Sequence, residues 1–254
     1  MFRKFASVLT IAFIPAASWA APAPVNLNDW VAAGGGAEGG GNWNIAPDGN
    51  SVLQTLNGAP TVFHNNADSQ GAALSGTITV ETASDDDFIG FVLGYKAGDL
   101  TNPSADYLLI DWKQGDQSFF GFAPAGLAIS RVTGALGDDS GAWSHDPANN
   151  VTELQRGATL GSTGWADNTT YSFDLIFTST AVQVFVNGVK ELDVAGTFAN
   201  GGFGFYNYSQ QAVRYAGLAE RAAPPIGAVP LPGALPLMAL GLGALGLLGR
   251  RRCA

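Results

Sequence analysis

The hydrophobic positions along the middle of the chain recur with the period of β-strands. Leu74, Gly76, Ile78 and Val80 share one face of a predicted strand from Ala73 to Thr82. Tyr171, Phe173, Leu175 and Phe177 alternate in the same way, as do Val182, Val184 and Val186. Asn187-Gly188 then leads into a further run, Val189 to Val194. Asn-Gly between two such runs predicts a hairpin, because both turn residues must take positive φ. Phe88 to Tyr95 and Tyr107 to Trp112 are continuously apolar enough to read as buried strands. Phe203, Phe205 and Tyr206 open a late strand, and Val213 to Leu218 supplies the last. No long stretch has a helical period. So many strands joined by short turns predict an all-β fold, a two-sheet lectin-like sandwich of jelly-roll type.

The two ends break this pattern. Met-Phe-Arg-Lys, an apolar run from Phe5 to Ala17 and Ser18-Trp19-Ala20 read as a secretory signal helix cleaved after Ala20. The competing reading, a permanent anchor helix, is weakened by the short apolar run. Leu231 to Gly249 is uncharged, has close to the ~20 residues that span a bilayer, and is followed by Arg250-Arg251-Arg252. This predicts a C-terminal transmembrane helix with its basic end in the cytoplasm. The expected organisation is a signal peptide at 1–20, a β-sandwich at 21–221, a linker at 222–228 and a terminal segment at 229–254.

Charge separates the middle from the ends. Arg3, Lys4 and Arg250 to Arg252 leave 7 basic and 21 acidic side chains between them, a formal charge of −14. Such a surface repels nucleic acid and anionic headgroups and suits an exported protein that attracts divalent cations. The single cysteine, Cys253, excludes a disulfide framework and a cysteine-based zinc site.

The C-terminal order Val229-Pro230-Leu231-Pro232-Gly233, apolar helix, arginine cluster resembles the bacterial PEP-CTERM sorting tails, closest to the variant reading Val-Pro-Leu-Pro-Ala. Gly233 replaces its Ala. The resemblance implies a Gram-negative bacterium and a membrane sorting protease of the exosortase type that removes the tail. Delivery would be to the cell surface or the extracellular matrix. The sequons at Asn150, Asn168 and Asn207 would then be unused.

The middle resembles the C-terminal globe of thrombospondins. The similarity is carried by Asn42-Trp43, Asp48-Gly49, Val52 to Asn57, the run Asp85-Asp86-Asp87-Phe88-Ile89-Gly90-Phe91, and Asp111-Trp112-Lys113-Gln114. It continues through Trp143, Gly164-Trp165, Gly201 to Phe205, Ser209-Gln210 and Tyr215. The resemblance implies a concanavalin-like sandwich, calcium binding, an extracellular location and a role in adhesion. The family's calcium-rich type 3 repeats and an Arg-Gly-Asp tripeptide are not found in this sequence. Gly98 to Ala105 lengthens a loop between two central strands.

Candidate chemistry centres on Asp85, Asp86 and Asp87. Calcium needs several hard oxygen ligands, and neighbouring Asp residues at a strand start offer them on both sides of the pleat. At most two would then bind one ion. A solvated acidic turn is an equally weighted alternative. Asp29, Asp48, Asp116, Asp138 and Asp139 are weaker candidate partners. Catalysis finds little support: Glu38, Glu81, Glu153, Glu191 and Glu220 are far apart, and a glycosidase needs two carboxylates flanking a cleft. His64 and His145 are isolated in sequence, although His145 beside Trp143 and Asp146 resembles a Trp-containing loop of the family. Trp30, Trp43, Trp112, Trp143 and Trp165 read as packing residues, with sugar stacking as the sharper alternative. The expected function is a calcium-binding, adhesion-related surface module, not an enzyme, with polysaccharide or another surface component as partner. A structural matrix protein without a ligand and a carbohydrate-active enzyme are the alternatives.

Overall fold

The computed structural model describes residues 21–34 and 41–225. The expected signal peptide, sorting tail and transmembrane helix fall outside the described residues. Among the described residues no helix is long and apolar enough to cross a membrane. The compact unit ends at Ala223.

Among the described residues seventeen strands follow in chain order. They are β1 (Ala23–Pro24), β2 (Val31–Ala33), β3 (Trp43–Ile45), β4 (Ser51–Gln54), β5 (Thr61–His64) and β6 (Ala72–Val80). Next come β7 (Phe88–Tyr95), β8 (Tyr107–Lys113), β9 (Gln117–Phe119), β10 (Gly121–Ala123) and β11 (Gly126–Val132). A single-turn helix, α1 (Ser140–Ser144), precedes β12 (Val151–Arg156), β13 (Thr170–Phe177), β14 (Ala181–Val186), β15 (Val189–Ala195), β16 (Gly202–Tyr208) and β17 (Val213–Ala222). One sheet has the order β15-β14-β13-β6-β17-β4-β3, with β1 also paired to β17. The other has the order β12-β11-β8-β7-β16-β5-β2, and β9 and β10 form a separate hairpin. The all-β, two-sheet expectation is met.

Local chemistry accounts for the register. Asn187 and Gly188 take φ of 48° and 78°, so Val186 pairs with Val189 across the predicted turn. Gly76 is required by close packing: a Cβ there would lie 2.5 Å from the Leu218 side chain. Ile89, Phe91 and Leu93 of β7 meet Leu74, Phe173 and Val184 in the core between the sheets. Phe205 lies flat on Tyr215, with ring centroids 4.1 Å apart and planes 9° apart, joining the two sheets. The Tyr215 hydroxyl, buried with the ring, sits 2.9 Å from the Tyr206 carbonyl, so its polar end is satisfied.

A second apolar layer lies on the other face of β7, β8 and β16. Phe88, Val92, Tyr107, Leu109, Tyr206 and Tyr208 pack there against Leu100, Leu136, Ala142 and Trp143. These strands are therefore buried on both faces, which explains their continuous apolar runs. The Gly98 to Ala105 segment is more than a longer loop, since Leu100 and Ala105 are buried members of this layer.

Candidate functional site

The acidic triplet occupies the loop that leads into β7, not the strand itself. Asp85 takes φ of 81°, a left-handed conformation that Asp tolerates better than most residues. With this bend, Asp85, Asp86 and Asp87 each offer one carboxylate oxygen within 4.8 Å of the others. Asp85 is exposed, Asp86 half-buried and Asp87 buried.

The loop backbone is held from several sides. The Gln114 amide donates to the Asp86 carbonyl over 3.1 Å. The Trp165 indole N–H donates to the Asp87 carbonyl over 3.0 Å, and the Asp87 amide donates to Oε1 of buried Gln210 over 3.1 Å. Gly115 is needed beneath the loop, because a Cβ there would meet the Asp86 carboxylate at 2.6 Å. The Asn57 side chain donates to Asp85 and accepts from the Ser209 hydroxyl.

Asp87 differs from its two neighbours. Its carboxylate sits 2.5 Å from Nζ of Lys113, and both side chains are almost fully buried. Nζ also donates to Gln117 Oε1 and lies 4.9 Å and 4.7 Å from the ring centres of Phe88 and Trp143. Burial pushes the Asp87 carboxyl up, against the opposing pull of Lys113 and Ser209. Asp85 and Asp86 thus carry the negative charge that remains available to a cation, while one oxygen of Asp87 is committed to an internal ammonium.

None of the weaker candidate acids joins this cluster. Asp48 accepts from the Asn50 amide, Asp116 from the Ala125 amide, and Asp139 caps α1 through the Gly141 amide. Asp29 sits in a short 3-10 turn. Asp138 accepts from the Tyr208 hydroxyl and faces the same cleft as Asp87. That cleft has a volume of about 460 Å³, with Phe119, Trp143 and Tyr208 among its lining residues.

His145 is less isolated than its sequence position implied. It takes φ of 52° at the end of α1, and its Nε2 lies 2.9 Å from buried Asp111 while Nδ1 lies 3.1 Å from Glu153. Arg156 pairs with the same Glu153 at 2.9 Å. Burial alone would lower the His145 pKa, but the Asp111 and Glu153 carboxylates outweigh it and raise it to about 10. The two carboxylates thus favour the protonated form of this partly buried ring at neutral pH. Asp111 and Lys113 were missed as buried charges. The signal available in sequence was their two-residue spacing within an otherwise apolar strand, which puts both on one face.

Of the five tryptophans among the described residues, Trp30, Trp112, Trp143 and Trp165 are buried and Trp43 is partly so, in line with the packing reading. Glu191 is also structural, as it accepts from the Thr159 and Leu160 amides at 2.8 and 3.0 Å.

Two solved structures share the architecture. The carbohydrate binding module CBM66 from Bacillus subtilis aligns with a TM-score of 0.52 at 10% identity, covering 76% of this chain and 96% of that one. A Bacillus subtilis protein with a galectin-like fold aligns with a TM-score of 0.51 at 12% identity, covering 81% and 98%. At such identities the likeness shows the fold alone. In sequence, the chain is 26% identical to thrombospondin-3b of Danio rerio over 203 residues, 71% of this chain and 21% of that protein. It is 27% identical to thrombospondin-2 of Gallus gallus over 207 residues, 70% and 16%. It is 25% identical to cartilage oligomeric matrix protein of Bos taurus over 199 residues, 71% and 25%. The chain thus spans a quarter or less of these relatives' length. The family model described as the thrombospondin C-terminal region matches residues 39–223, and the chain belongs to that family.

Proposed function

We propose that this chain is an exported, calcium-binding module of the cell surface or extracellular matrix, with an adhesive role. The observation that carries this reading is the clamped acidic loop. Three carboxylate oxygens lie within 4.8 Å of one another, and only Asp87 has a buried cation beside it. Hard oxygen donors of this kind suit calcium, with water and carbonyl groups completing the shell. Asp85 and Asp86 are the principal ligands, and Asp87 contributes through the oxygen not held by Lys113. A bound calcium would neutralise the mutual repulsion of these acids and fix the loop that leads into β7. Six of the seven basic residues in the middle of the chain are already paired with carboxylates. The acidic excess therefore has few internal partners.

The terminal segments complete the reading. Export proceeds through cleavage after Ala20, a transient inner-membrane stage on the C-terminal helix, and processing by an exosortase-type protease in a Gram-negative bacterium. The partner is polysaccharide or another surface component.

Calcium titration by calorimetry tests the metal claim. One site is expected in the wild type, and its loss in the double variant Asp85→Asn/Asp86→Asn. Heat of binding that survives in the double variant contradicts the assignment. Mass spectrometry of the exported protein tests the processing: a mature N-terminus at Ala21 and a missing arginine cluster are expected.

A further inference from the structure

The cleft beside the acidic loop has the composition of a sugar-binding site, and we infer that it takes a neutral polysaccharide chain. This deepens the surface-module reading and rests on it for the partner class, but it does not require calcium.

The first observation is an aromatic wall with an exposed face. Phe119 is 69% exposed at the end of β9, although an apolar ring of that size normally seeks cover. It is held in place by Phe120, at 4.3 Å between ring centres, and by the edge of Trp143 at 5.4 Å. Trp143 itself lines the cleft, is 5% exposed, and its indole N–H has no acceptor among the described residues.

The second observation is the polar side of the cleft. Asn57, Gln117, Ser118, Ser209 and the Asp87 and Asp138 carboxylates share it with these rings. Amides, hydroxyls and carboxylates together can both donate to and accept from ligand hydroxyl groups. A sugar presents C–H faces to an aromatic ring and hydroxyls to the rim, which matches both halves. Among the described residues no Lys, Arg or His lines the cleft or the cavity next to it, and Lys113, which reaches Asp87 from the protein interior, is buried and already paired with it. Its charge is spent, and the surrounding surface is acidic. An anionic polymer would be repelled, so the fitting ligand is uncharged.

The third observation favours a chain over a single sugar. A neighbouring cavity of about 560 Å³ shares Ala59 and Asp138 with the cleft and extends to Tyr95 and Leu100. Asp87 and Tyr95 bracket β7, so the two ends are separated by roughly 25 Å at ~3.3 Å per strand residue. That length accommodates several consecutive sugar units.

The test is affinity electrophoresis of the full chain through gels containing dextran, laminarin, levan or galactomannan, with and without calcium, beside an alginate gel as the anionic control. Retardation by at least one neutral polymer and none by alginate is expected. Phe119→Ala should weaken that retardation about tenfold, the usual order for an aromatic contact. Its thermal midpoint should stay unchanged, because the ring is exposed. No retardation in any neutral gel overturns the inference, as does full retention by Phe119→Ala. Preferential retardation by alginate overturns the charge argument. Release of new reducing ends from a retarding polymer overturns binding in favour of hydrolysis. Failure of the calcium reading would show separately, as absent calorimetric binding in a protein that still retards.

Discussion

The two faces of the second sheet are built from the same strands and are chemically opposite. Odd-numbered β16 residues Phe203 and Phe205 enter a predominantly apolar layer between the sheets, beside Leu93, Ile110 and Phe173, with Asn207 bonded to the Tyr215 hydroxyl at its edge. The even-numbered residues Tyr206 and Tyr208 enter the outer layer, where Asp87 pairs with Lys113 and Asp111 with His145, all four side chains at most 11% exposed. The inner face needs only shape and dehydration, worth about 1.5–3 kcal/mol for each large side chain. The outer face places charges where desolvation cancels most of their attraction. A layer built that way is a poor source of stability, and it borders both the acidic loop and the cleft. The contrast places most of the folding energy on the inner face and both proposed binding sites on the outer one.

The largest effects should come from removing single groups on either face, for different reasons. Phe205→Ala leaves a cavity against Tyr215 and should cost about 3–5 kcal/mol in denaturant unfolding. Lys113→Ala leaves the buried Asp87 carboxylate unpaired and should cost a similar ~3–5 kcal/mol. The faces separate in the double replacement Lys113→Met/Asp87→Leu. Exchanging the whole ion pair for apolar volume should restore most of the stability. If the double variant is as unstable as Lys113→Ala, the outer pair is a true stabilising element and the contrast fails.

A smaller, pH-graded effect should come from His145. The folded imidazole keeps its proton up to about pH 10, whereas a histidine in the unfolded chain releases it near 6.5. Its contribution is therefore complete below pH 6.5 and is lost as pH rises through 10. Denaturant midpoints measured from pH 7 to 10 should decline in the wild type and run flatter in His145→Gln. Parallel curves would mean that Asp111 and Glu153 do not hold the proton on His145.

The same contrast explains what the sequence made legible. Half-buried strands such as β13 and β14 show alternation, and Asn187-Gly188 marks their neighbouring hairpin, because one face is wet and the other dry. The β7 and β8 runs announced burial but not what covers the outer side. That cover comes from Leu100, Leu136 and Trp143, residues in irregular segments without any period. β12, with Thr152, Glu153 and Leu154 exposed at a sheet edge, has too little apolar content to stand out as a strand. The acidic triplet was legible as a candidate ligand set. Its inequality was not, since Lys113 reaches Asp87 from a strand 26 positions away. The cleft was likewise invisible, because its walls come from the β4–β5 loop, the β9–β10 hairpin, α1 and the end of β16.

The central claim is that the acidic loop on the outer side binds calcium in the folded state. Thermal unfolding of the protein with calcium and with chelator tests it most directly, because a ligand that binds only the folded form must raise the midpoint. At calcium tenfold above its Kd the expected gain is about 1.4 kcal/mol, or roughly 3–6 °C for a domain of this size. The shift should vanish in Asp85→Asn/Asp86→Asn. An unchanged midpoint at millimolar calcium, or an equal shift in the double variant, would contradict the account.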